Sequence, residues 1–567
     1  MNLDSHLHLA VLYCKVYNPS IGGKFMKANR FTIAQVHTHN HLAIAAAYCR
    51  AIKVKETVNR LVPSRMEVDP GTVVVAMLLD TLGGRSPLYR LADTFEEKDL
   101  GLLLGSSIPA SSLNDTNVGR VLDAIFEFGA SKIITEVAIE AVRFFDIDVS
   151  VVSYDTTSTS VWGQYIQSGK KGGPKLTYGH SKDNRPDLKQ FMTEMLCVGR
   201  GVPIFGDTMD GNSSDKKRNN AMLSRISSIM RRFGLGEGAF VYVADSAMVS
   251  EENLALLGST GFVSRLPANF KACKEVIDKA VSTQEWVPLG RPAELESSKG
   301  ATYKAREELV EIGGVSYRCV VYHSDSYDRR KQKAIESELK RSLDEIEALR
   351  KTIEVKYYCR EDAIQACLAA NRQHSALHEI RAHVVQRQSY RRGRFPKEGP
   401  RATRDYYELE LKIQERPEKL KQLKERSGCF AILTNVKEDK LDSRGLLKTY
   451  KGQYGIESDF VFLKDPMIVN DLFLKKSERI EALGMILVLA LMIYRLMERQ
   501  MRMYLAEEKT PLPGWAKRST DRPTSFMVST VFLEILVGKD HRGKSCLLRP
   551  LEERQHQFLR ALIFPPL

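Results

Sequence analysis

The sequence predicts an α/β protein: a mixed sheet flanked by helices, with a helical region ahead of it and an insertion before its last helix. Three observations predict this. Residues 40–145 carry apolar side chains at three- and four-residue spacing. From Asp148 the texture changes to short β-branched runs, in the order three strands, helix, strand, helix, strand. Over 268–427 it changes again, to charged helical and strongly basic stretches. Hairpins followed by αβ units imply a sheet of mixed strand direction.

Each element has a local reason. Residues 1–30 hold Pro19 and Gly22-Gly23 and read as poorly structured. "PGTVVVAMLLDTL" opens on Pro-Gly and continues as a helix-length apolar run; the helical stretch near 115–145 is capped by Asn114 or Asp115. "VSVVSYDTTST" reads as a strand, and "LKQFMTEMLCVGRGVPIFGDTMDG" as two strands about the turn Gly199-Arg200-Gly201. A helix from Ser214 to Phe233 follows, then a short strand "FVYVAD" ending at Asp245, a helix capped by Ser250, and the strand "GFVSRLP". Beyond these lie a strand at "YRCVVYHSD", a long helix laced with Glu–Lys pairs, the strand "CFAILTNV", a helix starting near Asp442, an apolar helix at 482–500 and a Pro- and Arg-rich end. The organisation expected is a helical, DNA-binding region at 1–145, a first core segment at 146–267, an insertion at 268–427, a returning core segment at 428–505 and a tail at 506–567.

The 567 residues carry a net charge of +14 and a sequence pI of about 9.2, spread along the chain. That balance favours a polyanionic partner, with nucleic acid first. The nine cysteines are scattered with no CxxC pair, which excludes a zinc-finger pattern and reads as reduced thiols in a cytoplasmic protein. Asp4, His6 and His8 interrupt any signal-peptide core. The longest apolar run, Ala482–Tyr494, falls short of the ~20 residues that span a bilayer, so it reads as a core helix and not a membrane anchor.

The chemistry-bearing candidates are acids. Asp155 sits in one expected strand and Asp245 ends another, and functional side chains of open sheets collect at strand ends. Two such carboxylates suit Mg²⁺, which takes one or two protein carboxylates with phosphate and water oxygens; either aspartate alone reads first as a turn cap, and spacing alone does not change that. A third acid lies in "YKGQYGIESDFVFLKDP". At 100° per residue Tyr450, Gln453, Glu457 and Lys464 share one helix stripe, while Ile456, Phe460 and Leu463 form a second stripe suited to packing on the sheet. Gly452 and Gly455 weaken that helix.

Basic features come next. From Arg387 to Arg404 there are seven Lys or Arg and one acid, with Tyr390 and Phe395 between them; Arg391, Arg392 and Arg394 read as a phosphate-contacting loop or a solvated linker. "GHSKDNRPDLK" mixes Lys182 and Arg185 with Asp183 and Asp187, as a DNA-channel lining or a charged hairpin loop. Trp162 reads as core, with base stacking as the alternative. His37, His39 and His41 have ligand chemistry but read as incidental in a flexible stretch.

The spacing Tyr450, Gln453, Glu457, Lys464 resembles the Tyr-Arg-Glu-Lys signature of the DDE transposases of bacterial insertion sequences, in the insertion-sequence-four superfamily, nearest its sixteen-thirty-four branch. All intervals agree; Gln453 stands where the signature has Arg. Further blocks in order are similar to that family: "DPGTVVVAMLLDTLGGRSPLYRLADTFEEKDLGLLLG", "YDTTSTSVWG", "YGHSKDNRPDLKQ", "GDTMDGNSSDKK", "VADSAMVSEENL" and "GIESDFVFLKDP".

The resemblance implies an RNase H-like (retroviral-integrase-like) catalytic core interrupted by an insertion domain. It implies that Asp155, Asp245 and Glu457 are catalytic and hold two Mg²⁺ ions, with Mn²⁺ as a substitute, and that Tyr450, Gln453 and Lys464 contact DNA, alongside Lys182, Arg185, Arg391, Arg392 and Arg394. The implied activity is metal-dependent cleavage at element ends and strand transfer into target DNA, by cut-and-paste. The implied partners are double-stranded DNA (terminal inverted repeats and target) and a second copy of the chain on the DNA, in a cytoplasmic, nucleoid-associated setting. A nuclease without strand transfer and a transposase-derived DNA-binding protein are the alternatives, since Gln453 cannot supply the charge or bidentate fork of Arg.

Overall fold

The structure, a computed structural model, describes residues 33–84, 86–163, 165, 172–236, 238–291, 301–326, 329–390, 403–465, 474, 476–540 and 545–563. The chain divides into two compact units, Met1–Ser264 with Thr449–Leu567, and Arg265–Lys448. The expected disorder of residues 1–30 and the basic cluster Arg391, Arg392 and Arg394 lie outside the described residues.

The first unit opens on a strand, β1 (Ile33–Thr38), and continues as helices: α1 (Leu42–Ala51), α2 (Val54–Leu61), α3 (Pro70–Leu82), α4 (Asp115–Phe128) and α5 (Ala130–Phe144), with shorter turns between. The caps follow local chemistry. Asp69 accepts from Thr72 N at 2.8 Å with Pro70 in the first turn, and Asn114 accepts from Asn117 N at 3.0 Å. α3 is buried almost all round, as its unbroken apolar sequence demands. The histidine stretch is ordered, contrary to the flexible reading. His39 is fully buried, and neither of its ring nitrogens has a hydrogen-bond partner among the described residues.

The sheet of this unit has five strands: β2 (Val151–Val161), β3 (Lys189–Val198), β4 (Val202–Asp210), then helix α6 (Asp215–Arg232), β5 (Val241–Ala244), α7 (Glu251–Leu257) and β6 (Gly261–Arg265). Their spatial order is β4-β3-β2-β5-β6. β2, β3 and β4 form an antiparallel meander, whereas β5 runs parallel to β2 and β6 parallel to β5. The chain leaves β2 on one side for β3 and reaches β5 on the other through α6. This makes the β2–β5 boundary a switch point, the place in open sheets where ligands characteristically bind.

The second unit carries helices and antiparallel strands: α8 (Lys271–Thr283), β7 (Val287–Gly290), β8 (Tyr303–Ile312), β9 (Val315–Ser324), α9 (Arg329–Thr352), α10 (Arg360–Ala370), β10 (His378–Tyr390), β11 (Thr403–Glu415), α11 (Pro417–Ser427) and β12 (Cys429–Thr434). β12, β9, β8 and β7 lie side by side, and β10 and β11 pair along their whole length from His378↔Glu415 to Tyr390↔Thr403. This unit takes in the strand 429–434, which the sequence reading assigns to the returning core.

Back in the first unit come the end of α12 (Ser443–Gly452), then α13 (Tyr454–Lys464) and α14 (Ser477–Glu508). α14 has 32 residues, longer at both ends than 482–500, and is long and apolar enough to cross a membrane; its most apolar stretch is 83% buried within the protein. It is the central helix of this unit. It lies close against β4: a Cβ on Gly484 would stand 2.5 Å from Thr208 Oγ1, and one on Gly206 3.1 Å from a Val488 methyl. The last residues are not a tail. α15 (Ser525–Val531), β13 (Leu536–Asp540), β14 (Ser545–Leu547) and α16 (Glu553–Leu562) fold back, with β13 pairing antiparallel to β1 and Phe532 and Phe558 fully buried.

Burial holds His39 well below the usual imidazole range, at about 4, despite the nearby Asp99 carboxylate. The folded chain therefore keeps His39 neutral where the unfolded chain takes a proton, so stability falls on acidification from about pH 6.5 to 4, by at most about 3 kcal/mol. Asp207 and Glu481, pushed up by burial to about 6 and about 7, act in the opposite direction. Urea unfolding of wild type and His39→Leu across this range should give curves whose difference isolates the histidine: the variant loses less stability on acidification.

Candidate active site

The parallel register of β2 and β5 runs Val151↔Val241, Val152↔Tyr242, Ser153↔Val243. Asp155 lies two residues past the last of these pairs on β2, and Asp245 is the first residue beyond β5, so both fall at the same end of neighbouring parallel strands. The Tyr242 hydroxyl, raised first by burial, is raised further by Asp245, Glu194 and Asp155. Asp155 Oδ1 accepts from Thr156 N at 2.7 Å. Asp245 Oδ1 caps the following turn by accepting from Ala247 N at 3.1 Å, and its carbonyl accepts from Ser264 Oγ at 2.8 Å. Asp245 is thus a turn cap and a strand-end acid at once.

The hydroxyl run after Asp155 is mostly buried: Thr156, Thr157, Ser158 and Thr159. Ser158 Oγ accepts from the backbone of Lys182 at 2.9 Å and so pins the 178–187 loop over β2. Lys182 Nζ then reaches Thr156 O at 2.6 Å and Thr156 Oγ1 at 3.0 Å, and stands 3.9 Å from Asp155 Oδ1. On the opposite face of the sheet Glu194, across from Thr156, is fully buried and held by Tyr154 and Arg218, with Arg225 farther off. That acid is structural.

The Tyr450–Lys464 stripe is split between two helices. α12 ends at Gly452, Gln453 forms the junction in helical backbone geometry, and α13 begins at Tyr454. The glycines have different roles. Nothing surrounds a Cβ built on Gly452, whereas one on Gly455 would stand 2.6 Å from Arg200 O in the β3–β4 turn. α13 buries Ile456, Asp459, Phe460 and Leu463, so the expected packing stripe holds. Asp459 lies over the β3–β4 end of the sheet, where Cys197 Sγ donates to its Oδ2 at 3.5 Å. Cys197 lies across from Ser153, on the same face as Asp155. Glu457 therefore rides on the helix that covers this face, but its own side chain is exposed.

The remaining expected contacts fall as follows. Lys464 Nζ bonds Asp183 Oδ1 at 2.5 Å, which ties α13 to the 178–187 loop. Arg185 forks onto Asp187 at 2.8 and 2.6 Å and lies over the Trp162 ring at 4.9 Å. Trp162 is exposed, not core as the sequence reading prefers, because β2 has run past its neighbour β5 by that point. Gln453 is buried and Tyr450 half-buried. The sequence reading missed the buried partner of α13: Arg495 on α14 meets Asp459 at 2.5 Å, Glu498 at 2.6 Å and Ser458 Oγ at 2.7 Å. Burial holds Asp459 up at about 7 even against the opposing pull of Arg495. Nothing in the local sequence marks two residues 36 apart as a pair.

Among the described residues no three His, Cys, Asp or Glu side chains draw close enough to hold a metal ion. Asp155, Asp245 and Glu457 do not form such a group here. The donor chemistry of the aspartate pair suits one hard divalent cation. The three-carboxylate set implied by the resemblance is not assembled.

Residues 34–139 match the family described as a domain of unknown function, DUF4277. No curated protein matches the chain.

Arg495→Met leaves Asp459 and Glu498 buried without their shared cation and should cost about 3–5 kcal/mol, read by urea unfolding. A second comparison tests the seat of α13. Gly455→Ala should destabilise by about 1–3 kcal/mol, because Arg200 backbone stands in the way. Gly452→Ala should be neutral or gain up to about 1 kcal/mol.

Proposed function

We propose that the chain is a divalent-metal-dependent DNA transposase that acts on phosphodiesters through Asp155 and Asp245. What supports this reading is that Asp155 lies on β2 and Asp245 directly follows β5, the parallel neighbour of β2, at a switch point of the sheet. The strand order β4-β3-β2-β5-β6 supports an RNase H-like core, and the order of the sequence blocks supports the transposase assignment. The DUF4277 domain matched at residues 34–139 is found in transposase-like proteins, which supports the same reading. The net charge of +14 supports a nucleic-acid partner.

In this reading Asp155 and Asp245 hold Mg²⁺ or Mn²⁺, which supplies Lewis acidity toward a phosphoryl oxygen. The rest is work for the chain's own groups. Lys182, Lys464 and Arg185 present cationic donors on one side of the acid pair and bind backbone phosphates. Glu457 joins the aspartates only after its side chain or α13 moves. Cleavage at element ends and joining to target DNA then run in one site, with two copies of the chain on paired ends in the cytoplasm. The unassembled triad and the burial of Gln453 favour one second reading, a DNA-binding protein derived from a transposase.

Incubation with Mg²⁺ and duplexes bearing the element's own terminal repeats separates the readings as cutting with joining, cutting alone or binding alone. Asp155→Asn, Asp245→Asn and Glu457→Gln should each slow cleavage by roughly a thousandfold, the equivalent of several kcal/mol of lost transition-state stabilisation, while duplex binding in a gel-shift persists. Full cleavage by Asp155→Asn would end the proposal.

A further inference from the structure

Lys182 is held in place more firmly than a surface lysine needs. Its backbone N donates to the buried Ser158, and its ammonium donates to Thr156 at two atoms, 2.6 and 3.0 Å away. Around it the loop is fixed by its own bonds: Ser181 Oγ accepts from Asp183 N at 3.2 Å and Arg185 N at 3.1 Å. Gly179 has no room for a Cβ, which would stand 2.2 Å from Gly211 O. The loop therefore delivers one positive charge to within 3.9 Å of the Asp155 carboxylate. The next residue, Asp183, is bonded to Lys464 of α13, the helix that carries Glu457. Two ion pairs in consecutive residues thus join the acid pair to that helix.

Asp155 and Asp245 lie at the same end of neighbouring parallel strands, where two carboxylates repel each other and a nearby cation offsets this. A lysine suits the task of leaving again, because its charge is a compact point on a flexible stem. Resting on the reading of Asp155 and Asp245 as a metal-binding pair, we propose that Lys182 is the resident counter-cation of that pair, which competes with a divalent cation for Asp155 and is displaced when one enters. Once displaced, the ammonium is free for a backbone phosphate beside the acids. Phosphate pairing by Lys464 likewise competes with Asp183, so loading of the site and release of α13 share one loop.

The test is Mn²⁺ binding by the full chain without DNA, with free ion read by electron paramagnetic resonance. Lys182→Met and Lys182→Gln remove the charge from a side chain that is 30% exposed. Both should bind Mn²⁺ about tenfold more tightly than wild type, the effect expected for one neighbouring unit charge, and Lys182→Arg should stay near wild type. Asp155→Asn should lose the ion. If Asp155→Asn loses it while the Met and Gln variants match wild type or bind more weakly, Lys182 does not compete and the proposal fails alone. If Asp155→Asn binds as wild type does, the metal-site reading fails, and the proposal with it.

Discussion

The first unit is organised around a register. The parallel ladder that starts at Val151 and Val241 and runs to Ser153 and Val243 brings Asp155 and Asp245, each two residues further on, to the same end of neighbouring strands. Two like charges at such a place are costly unless cations and hydrogen-bond donors surround them. Much of the nearby sequence answers that need. The amides of Thr156 and Ala247 donate to the carboxylates, the Thr156 carbonyl and hydroxyl hold an ammonium, and Ser158 anchors the loop that brings it. The hydroxyl run behind Asp155 is polar enough to fix this loop and small enough to be buried.

The neighbouring strand β3 holds a second carboxylate, on the other face of the sheet from Asp155, and accommodates it differently. Glu194 is itself buried and closed in by Tyr154 and two arginines. Asp155 keeps partial exposure and a lysine at 3.9 Å, an arrangement that is open to exchange. Desolvation explains the contrast. A guanidinium fork locks a carboxylate that never changes partner, while a single ammonium at longer range leaves its oxygens able to take another ion.

Much of this was legible in the residues. The strand order, the Gly199-Arg200-Gly201 turn, the caps at Asn114 and Ser250, and the buried stripe Ile456, Phe460 and Leu463 all follow from local pattern, and the structure shows each. What escaped depends on distant partners. The pairing of β1 with β13 joins residues some five hundred positions apart, and no alternation within either strand announces it. The hairpin of β10 and β11 escaped because its charged faces resemble a basic linker. Trp162 read as core from its type alone, yet the end of a neighbouring strand decides its exposure. The identities of the site aspartates were visible at strand ends. Their adjacency was not, since it needs a parallel pairing that skips two intervening strands and a helix.

The unassembled state of Glu457 follows from how α13 is held. At one end Gly455 sits against the β3–β4 turn, where even one methyl group would collide. In the middle Asp459 is clamped by Arg495, itself fixed by Glu498 on the same helix. At the other end Lys464 is tied to Asp183. The first two contacts are buried and the third is partly exposed, so the three differ in how easily they yield. A polyanion approaching from solvent competes with Asp183 for Lys464 but cannot reach Arg495 without unfolding the helix seat. Glu457 lies between the two buried anchors, Gly455 and Asp459, so release at Lys464 frees only the far end of α13, and any approach of Glu457 to the aspartates is left to its own exposed side chain.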